Sequence, residues 1–427
     1  MFRGTSFKMI TKIYRSLFPI LFLVFLLFGI PFSNKIREGF RIRRLRLRAP
    51  FLKKLDRSFW IHAASGEYEY ARPLVQELKK RHPEIPIVVT FFSPTYMKTI
   101  DSDPLVDYAL PLPFDFPGSV QSLIRKIRPH ALFIARTDLW PEVLTQCRRF
   151  SIPRVLFSYH HSRSKSWWAN FFRKQLLSEL SHIDCVSEDS LSWVKSCVST
   201  PATAFGDTRY DRVQERKSHP KPLKVTFSKG KRTITLGSTW GEDDKIMAKA
   251  LKISQESWDL AVWAPHEPTE AHLNELKALL HKKGLSFEMY SELSSPPQAQ
   301  VLILDQVGIL FDLYAFSDLA FVGGSFRSTV HSVMEPLAFG NRVLLGPKMH
   351  NNFEAQDFQK VVVDTKNVVE VHSTPKGMAD AITAHFEPSK GLRLKTQNEI
   401  SDLVQKKSGA SSRLLNHLES LNLYQKN

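Results

Sequence analysis

FVGGSFRSTVHSVMEPLAFGNRVLLGP, residues 321–347, is the stretch that decides the fold. An apolar run over 319–322 stops at Gly323 and Gly324, and glycines at a strand end let a ligand approach the backbone closely. Apolar residues then recur at helical spacing over 331–340, and the run 343–345 is typical of another strand. A strand, a glycine turn, a helix and a second strand form a βαβ unit, so the sequence predicts a parallel sheet.

The predicted helix carries a candidate binding residue, Glu335, close to its start. Parallel sheets bind ligands beyond the carboxyl ends of their strands, where helix N-termini face anionic groups. A carboxylate at this place can accept hydrogen bonds from both hydroxyls of a ribose. A solvated helical glutamate explains the same residue, and this segment alone leaves both interpretations open.

Length and charge limit the classes of protein. A chain of 427 residues predicts two domains, and 43% hydrophobic and 24% charged residues are ordinary for a globular protein. The net charge is +17, but +12 of it lies within residues 1–57, and no nucleic-acid motif accompanies it. Nucleic acid is therefore not an expected partner. The three cysteines show no paired spacing, which favours a reducing compartment and argues against a structural zinc site.

The N-terminal arm predicts a membrane anchor. Residues 17–32 are almost wholly apolar, at the short end for a spanning helix, and no small-residue cleavage site follows them. Cations are densest in 35–48, which predicts that the folded part lies on the cytoplasmic side, next to anionic lipid. Whether the segment spans the bilayer or lies in one leaflet stays open. A chain without residues 1–48 is expected to leave the membrane with its fold intact.

The first half contains several strand ends that carry polar residues. After the strand at 59–63, Ser65 and Gly66 form a turn and Glu67 opens a helix; a glutamate favoured by the helix dipole is the alternative interpretation of Glu67. Asp138 follows the strand at 131–135. The loop 159–165 contains Arg163 and two adjacent histidines, but adjacent side chains splay apart, so a metal site is not predicted.

The second half begins after a polar segment, 214–231, which we interpret as an interdomain linker. The strand at 233–236 leads to Ser238 and Thr239, and the strand at 260–264 leads to Pro265 and His266. The predicted organisation is an anchor and basic arm (1–50), an N-terminal parallel-sheet domain (51–213), the linker (214–231), a C-terminal parallel-sheet domain (232–395) and a terminal helix (396–427).

Nine strings occur in an order that resembles one family. They are HAASGE with ARPL, DPLVDYALPLPFDFP, TDLWP, GDTRYDRV, GSTWGEDD, APHEP, FVGGS, HSVMEP and LLGPKMHNNFEAQD. Together they resemble the 3-deoxy-D-manno-octulosonic acid (Kdo) transferases, membrane-anchored enzymes that add Kdo from CMP-Kdo to a lipid A precursor, and the resemblance covers nearly the whole chain. It implies an α/β fold of GT-B architecture, in which two Rossmann-like parallel-sheet domains face a cleft. The N-terminal domain would bind the acceptor, and the C-terminal domain would bind the donor CMP-Kdo.

The resemblance also implies residue roles and a location. Glu67 would be the general base of an inverting transfer, because a sugar hydroxyl must lose its proton as the bond forms, and Asp138 is a second catalytic candidate. Arg163 and Arg209 would contact carboxylate or phosphate groups. No metal or cofactor is required, and the enzyme would work at the bacterial inner membrane in lipopolysaccharide biosynthesis. The implied donor-binding residues are Ser238, Thr239, Pro265, His266, Gly323, Gly324, Ser325 and Glu335.

The chain departs from the family pattern at three places. Ser65 and Gly66 are adjacent where the family usually has one more residue. Arg136 and Asp138 stand where the family commonly has two glutamates, and Trp240 stands at a His-Glu step. Two alternatives therefore accompany the leading interpretation: a related GT-B transferase with another donor or lipid acceptor, and an inactive membrane-anchored binding paralogue.

Overall fold

The structure, a computed structural model, describes residues 3–48, 54–161, 166–225, 227, 230–327 and 329–424. The chain divides into two compact units. The first unit comprises Met1–Arg212 together with Ser408–Asn427, and the second comprises Val213–Lys407.

The first unit is built on a parallel sheet. In its described part seven strands pair in the order β3-β2-β1-β4-β5-β6-β7. The strands are β1 (Ser58–His62), β2 (Ile87–Phe91), β3 (Tyr108–Pro111), β4 (Pro129–Ala135), β5 (Arg154–Tyr159), β6 (His182–Cys185) and β7 (Ala202–Thr203). The helices are α1 (Arg3–Phe32), α2 (Asn34–Arg48), α3 (Tyr68–Arg81), α4 (Met97–Asp101), α5 (Pro117–Ile127), α6 (Pro141–Arg149), α7 (Trp167–Leu177) and α8 (Glu188–Cys197).

Both faces of this sheet are buried. Along β1 the side chain of Trp60 packs into one apolar cluster, whereas its neighbours Phe59 and Ile61 pack into another. This alternation follows from the two-residue period of a strand. The run of apolar residues in β1 is typical of parallel strands that are covered by helices on both sides.

The second unit repeats this plan. In its described part seven strands pair in parallel in the order β10-β11-β9-β8-β12-β13-β16. The strands, with a separate antiparallel pair β14–β15, are β8 (Thr233–Thr239), β9 (Leu260–Pro265), β10 (Phe287–Met289), β11 (Val301–Ile303), β12 (Leu319–Val322), β13 (Arg342–Leu345), β14 (Val362–Val363), β15 (Lys366–Asn367) and β16 (Val369–Val371). The helices are α9 (Arg209–Ser218), which contains the boundary between the units, and α10 (Gly241–Ile253), α11 (Glu270–Lys283), α12 (Leu310–Leu313), α13 (Met334–Ala338), α14 (Phe353–Gln359), α15 (Pro375–Phe386) and α16 (Lys390–Lys406).

Residues 214–218 of the predicted linker are helical instead, because they form the last part of α9. This end of α9 is bound within the second unit. Arg216 Nη1 lies 2.7 Å from Glu335 Oε1, and Lys217 Nζ donates at 2.7 Å to the Ala338 carbonyl. The polar composition thus reflects charged side chains that hold a helix in place.

The predicted helix over 331–340 is much shorter in the structure, where α13 covers Met334–Ala338. The backbone of His331 is used elsewhere, because its N–H donates to the Gly323 carbonyl and its carbonyl accepts from the Asn352 side chain. These bonds hold the segment before α13 against the glycine turn and prevent it from starting a helix.

The predicted terminal helix is two helices, α16 and α17 (Ala410–Ser420). Gly409, at φ +88°, interrupts the helical path. Leu414, Leu415 and Leu418 of α17 are fully buried in an apolar cluster that also contains residues of α3 and β1. The end of the chain is therefore part of the core of the first unit.

The N-terminal arm consists of two helices, the apolar helix α1 and the basic helix α2, which packs against the first unit. The stretch Met9–Phe32 of α1 is long and apolar enough to cross a membrane by length and composition. Helix α2 is integrated into the first unit through Ile42 and Arg43, which are 4% and 7% exposed. The Arg43 guanidinium donates to the carbonyls of Gly39, Phe92 and Leu112 at 3.0–3.1 Å. We therefore expect removal of residues 1–48 to weaken the first unit, against the expectation from the sequence.

Replacing Arg43 tests this integration. Arg43→Met should lower the free energy of unfolding by about 2–4 kcal/mol, because buried carbonyls lose charged donors that methionine cannot replace. Arg44→Met, at the exposed neighbouring position, is the matched control and should change stability by less than about 0.5 kcal/mol. Chemical denaturation followed by tryptophan fluorescence measures both. Equal stability of the two variants would show that α2 is a detachable arm.

Candidate active site

The second unit collects the predicted donor-binding residues at one edge of its sheet. Strands β8 and β9 end together, with Thr239 paired to Pro265, and β12 ends beside β8, with Val322 paired to Gly237. The residues that lie at or directly after these ends are Ser238, Thr239, Pro265, His266, Gly323, Gly324 and Ser325. The carboxyl ends of parallel strands thus bring together side chains from three separate parts of the sequence.

The turn after β12 requires both of its glycines. A Cβ on Gly323 would collide with the backbone carbonyl of Ser238 on the neighbouring strand. Gly324 has φ +87°, and a Cβ there would collide with the Thr329 carbonyl. Gly323 is thus fixed by close strand-to-strand approach, and Gly324 by its left-handed backbone as well.

The carboxylate of Asp243 holds this turn, a role that the sequence analysis missed. It accepts hydrogen bonds from the backbone N–H groups of Gly324 at 2.8 Å, Trp240 at 3.0 Å and Phe326 at 3.3 Å. Burial raises the pKa of Asp243, although these N–H groups oppose the shift. The signal in the sequence was the acidic first turn of α10, which indicated a helix start and gave no hint of the bond to β12.

Two of the predicted donor-binding hydroxyls are used inside the protein. Ser325 Oγ accepts from the Gly346 N–H at 2.7 Å and donates to the Val322 carbonyl at 3.3 Å. Thr239 Oγ1 accepts from Trp263 Nε1 at 3.1 Å. Both residues are completely buried, so their side chains shape the turn. Ser238 is half-buried and has φ +55°, a left-handed backbone that is uncommon for serine and typical of functional positions.

Three rings lie beside this edge. The His266 and His331 rings stack with centroids 4.1 Å apart, and Trp240 lies 4.8 Å from His266. Trp240 Nε1 donates to His331 Nε2 at 3.1 Å, which requires that nitrogen to carry a lone pair. Burial, with a smaller contribution from His266, lowers the pKa of His331 to about 4, so its ring is neutral near pH 7. The Arg327 guanidinium lies 4.8 Å from the Trp240 ring centroid.

Glu335 opens the short helix α13 and is three-quarters buried. Its Oε1 forms the ion pair with Arg216, whose guanidinium also lies 3.9 Å from the Phe311 ring centroid. Burial and the charge of Glu335 both raise the pKa of Tyr314, whose hydroxyl fills the space beside Gly237. Glu335 therefore lies near the end of β8, and the Arg216 guanidinium is bound to one of its carboxylate oxygens.

The first unit has a second polar group of residues at the carboxyl ends of β1 and β4. His62 Nε2 lies 2.7 Å from Asp138 Oδ2, and Trp140 Nε1 donates to the same oxygen at 3.1 Å. Burial favours the neutral form of Asp138, but the hydrogen bond and charge of His62 outweigh it and hold the pKa of Asp138 below its ordinary value. Asp138 is therefore an ionised carboxylate that orients the His62 ring.

Glu67 lies immediately before α3, and its Oε2 accepts from the Ser65 N–H at 2.9 Å. Within the described part of the chain, no cation forms an ion pair with it. Glu69, by contrast, pairs with Arg212 at 3.2 Å. Glu67 is half-buried. Burial is the main cause of the raised pKa of Tyr70; Asp207 and, to a smaller extent, Glu67 add to it, and Arg209 and Arg136 oppose it.

Two guanidinium groups lie over the ring of Tyr70. The Arg209 carbon Cζ is 4.3 Å from the ring centroid and that of Arg136 is 4.8 Å from it. Arg209 also pairs with Asp207 at 2.9 Å. Arg163, the other arginine that the resemblance implied, lies outside the described residues.

The described residues contain no group of three or more His, Cys, Asp or Glu side chains that could hold a metal ion.

The pKa of His331 provides a test of the ring stack. Because folding lowers this pKa from about 6.5 to about 4, the unfolded chain binds a proton that the folded protein does not, and stability is lost as the pH falls from about 6.5 towards 4. Nuclear magnetic resonance should give His331 a pKa well below 6.5, and His331→Asn should remove its share of the acid destabilisation. A normal histidine pKa would contradict the burial of the His331 ring in this stack.

Solved structures show the fold. A UDP-GlcNAc 2-epimerase from Neisseria meningitidis, bound to UDP-GlcNAc, matches with a TM-score of 0.59 and 13% identity over 85% of this chain and 100% of that chain. MurG from Acinetobacter baumannii matches with a TM-score of 0.51 and 9% identity over 85% of this chain and 99% of that one. The predicted fold class, GT-B with two Rossmann-like parallel-sheet domains, is confirmed.

Comparison with known sequences finds one family model and several similar proteins. A family model for 3-deoxy-D-manno-octulosonic-acid transferase (kdotransferase) matches residues 38–212. A 3-deoxy-D-manno-octulosonic acid transferase from Haemophilus influenzae is 28% identical over 375 residues, covering 84% of this chain and 86% of that protein. One from Chlamydia trachomatis is 26% identical over 344 residues, covering 75% and 77%. These matches show that the chain is similar to the Kdo transferases, a family of glycosyltransferases, over most of its length.

Proposed function

We propose that this protein transfers Kdo from CMP-Kdo to a sugar hydroxyl of a lipid A precursor, with inversion at the anomeric carbon. Similarity to the Kdo transferases supports the reaction class. Donor and acceptor are assigned here from the resemblance and from the chemistry of the two strand edges.

The observation that carries the proposal is the state of Glu67 compared with two other carboxylates of the first unit, Asp138 and Glu69. Asp138 is bound to His62 and Trp140, and Glu69 is bound to Arg212. Glu67 is held by a backbone N–H, which orients its carboxylate without neutralising it. An oriented carboxylate with a free oxygen is what a general base for a sugar hydroxyl requires. We therefore assign the base role to Glu67 and a supporting role to Asp138, through His62.

The proposed transfer forms one bond to the anomeric carbon of Kdo and breaks another. The acceptor oxygen forms a bond to the anomeric carbon of Kdo while its proton passes to the Glu67 carboxylate. The bond between that carbon and the phosphate oxygen of CMP breaks on the opposite face, and the electron pair leaves with CMP. Negative charge develops on the departing phosphate, so nearby N–H groups and cations lower the barrier.

The donor's nucleotide is assigned to the strand edge of the second unit. Gly323 and Gly324 are buried and shape the turn at this edge, and Ser238 offers a hydroxyl in a left-handed turn. Pro265 and His266 line the same edge. Glu335 uses one oxygen for Arg216, and its carboxylate is assigned to the ribose hydroxyls. Arg209, with Asp207 as its partner, is a candidate for a substrate carboxylate or phosphate.

The proposed location is the cytoplasmic face of a bacterial inner membrane. The stretch Met9–Phe32 supplies an apolar segment, and the cations of α2 follow it. Cations on this side favour a cytoplasmic orientation and attract anionic lipid. A lipid acceptor enters from the same membrane, so anchoring raises the rate at which the enzyme meets it.

The proposed reaction is tested by product mass. Purified full-length protein in detergent, mixed with CMP-Kdo and tetra-acylated lipid A precursor, should increase the acceptor mass by one or more Kdo residues and release CMP. Omitting the donor is the control. No mass increase under conditions in which a related Kdo transferase is active would overturn the assignment of donor or acceptor.

The base is tested by a set of amide variants. Glu67→Gln keeps the size and hydrogen-bonding reach of the side chain but cannot take a proton, so turnover should fall by about a hundred- to ten-thousand-fold. CMP affinity, measured by calorimetry, should change little.

Glu69→Gln and Asp138→Asn are measured alongside as matched carboxylate controls. Glu69→Gln should keep most of its activity, since that carboxylate is already paired with Arg212. Near-normal turnover in Glu67→Gln would sink the assignment, and a collapse in Asp138→Asn alone would transfer the base role to Asp138.

A further inference from the structure

We propose that Arg136 is a binding residue for a substrate oxyanion, a phosphate monoester or a carboxylate attached to a sugar, at a site next to Glu67. The inference deepens the proposed function, on which it rests for the identity of the substrates. The anion site itself rests on the geometry of Arg136.

Arg136 has a strained backbone conformation directly after β4, and such conformations are typical of functional positions. It follows Ala135, the last residue of β4, and its own N–H donates to the Phe157 carbonyl of β5 at 3.0 Å. Its φ is +67°, in the left-handed region that arginine rarely adopts. Such a conformation is strained and persists where the surroundings hold it. The sheet therefore fixes the direction in which this side chain leaves β4.

The side chain is a cation that no described acid neutralises. The guanidinium lies 4.8 Å from the Tyr70 ring centroid, and no other described residue forms a hydrogen bond or ion pair with it. Arg209, over the same ring, has Asp207 as a partner. Tyr70 is 9% exposed, so Arg136 stacks on a buried ring and keeps its planar set of N–H donors available.

The described neighbouring groups form no ion pair with this guanidinium. The Arg209–Asp207 pair is neutral in sum. Burial lowers the pKa of His160, and the charges of Arg136 and Arg209 lower it further, so the imidazole adds no charge near pH 7. Glu67 lies one helical turn before Tyr70, whose backbone N–H donates to the Glu67 carbonyl at 3.0 Å. An oxyanion bound to Arg136 would thus lie close to the proposed base.

The type of ligand follows from the guanidinium. Its parallel N–H groups match the two oxygens of a phosphate or carboxylate, and such bidentate pairs are short and strong. Two sources in the proposed reaction carry this chemistry: a phosphate on the acceptor sugar and the carboxylate of Kdo. The resemblance adds that the family commonly has glutamate where this chain has Arg136, a change of two charge units beside the reacting groups. The acceptor or its orientation is therefore expected to differ from that of relatives with the glutamate.

The test compares Arg136→Gln with wild type and with Arg125→Gln, an exposed arginine of α5 that serves as the matched control. Turnover is measured with the phosphorylated acceptor and with the same acceptor after phosphatase treatment. If the anion is the acceptor phosphate, Arg136→Gln should raise the acceptor KM at least tenfold with a small change in kcat, and dephosphorylation should harm wild type but not the variant. If the anion is the Kdo carboxylate, the donor KM should rise instead. Unchanged KM values for both substrates would overturn the proposal.

A binding measurement separates this proposal from the proposed reaction. Glucosamine 6-phosphate and free Kdo are titrated into full-length protein, and binding is followed by nuclear magnetic resonance of the ligand. Binding of either probe to wild type and to Arg125→Gln, with loss in Arg136→Gln, supports the site even if no transfer is found. Equal binding to all three proteins contradicts it. If Arg136→Gln does not fold, Arg136→Gly removes the same charge and accepts the left-handed backbone without strain.

Discussion

Parallel pairing of the strands is the constraint on which the rest of the structure depends. In the described part of each unit, all seven strands of the main sheet run in one direction, so their carboxyl ends meet at one edge. Each connection between strands must then cross the sheet, and helices cover both faces. The residues at and directly after the strand ends therefore meet at this edge. His62, Arg136 and His160 in the first unit and Ser238, His266 and Gly323 in the second unit occupy such positions.

The residues at the strand ends could be predicted because the sequence patterns that mark a strand end are local. An apolar run that ends in two glycines, as at Gly323 and Gly324, specifies a strand end and a tight turn in the same few residues. The polar residues after β1 and β4 identified Glu67 and Asp138 as candidates. The length of α13 was not accessible in this way, because the backbone bonds of His331 go to Gly323 and Asn352, which are distant in sequence.

Partners across the sheet explain the remaining differences. Asp243 appeared to be an ordinary acidic residue in a first helical turn, and its bonds to Gly324 and Phe326 depend on β8 lying next to β12. Ser325 appeared to be available for a ligand, but the Gly346 N–H reaches its hydroxyl only in the folded sheet. In both cases the residue type suggested a polar function, and the tertiary structure decided whether that function serves the ligand or the protein.

Along the chain, the second unit is inserted between two parts of the first unit. The first unit is built from residues before Val213 and from residues after Lys407. Its core therefore lacks Leu414, Leu418 and Tyr424 until residues 408–424 have left the ribosome. The second unit, a continuous segment, can complete its own sheet earlier during synthesis. The first unit, which carries Glu67, is completed after the second, so a chain that stops before residue 408 is expected to fold the second unit while the first unit lacks part of its core.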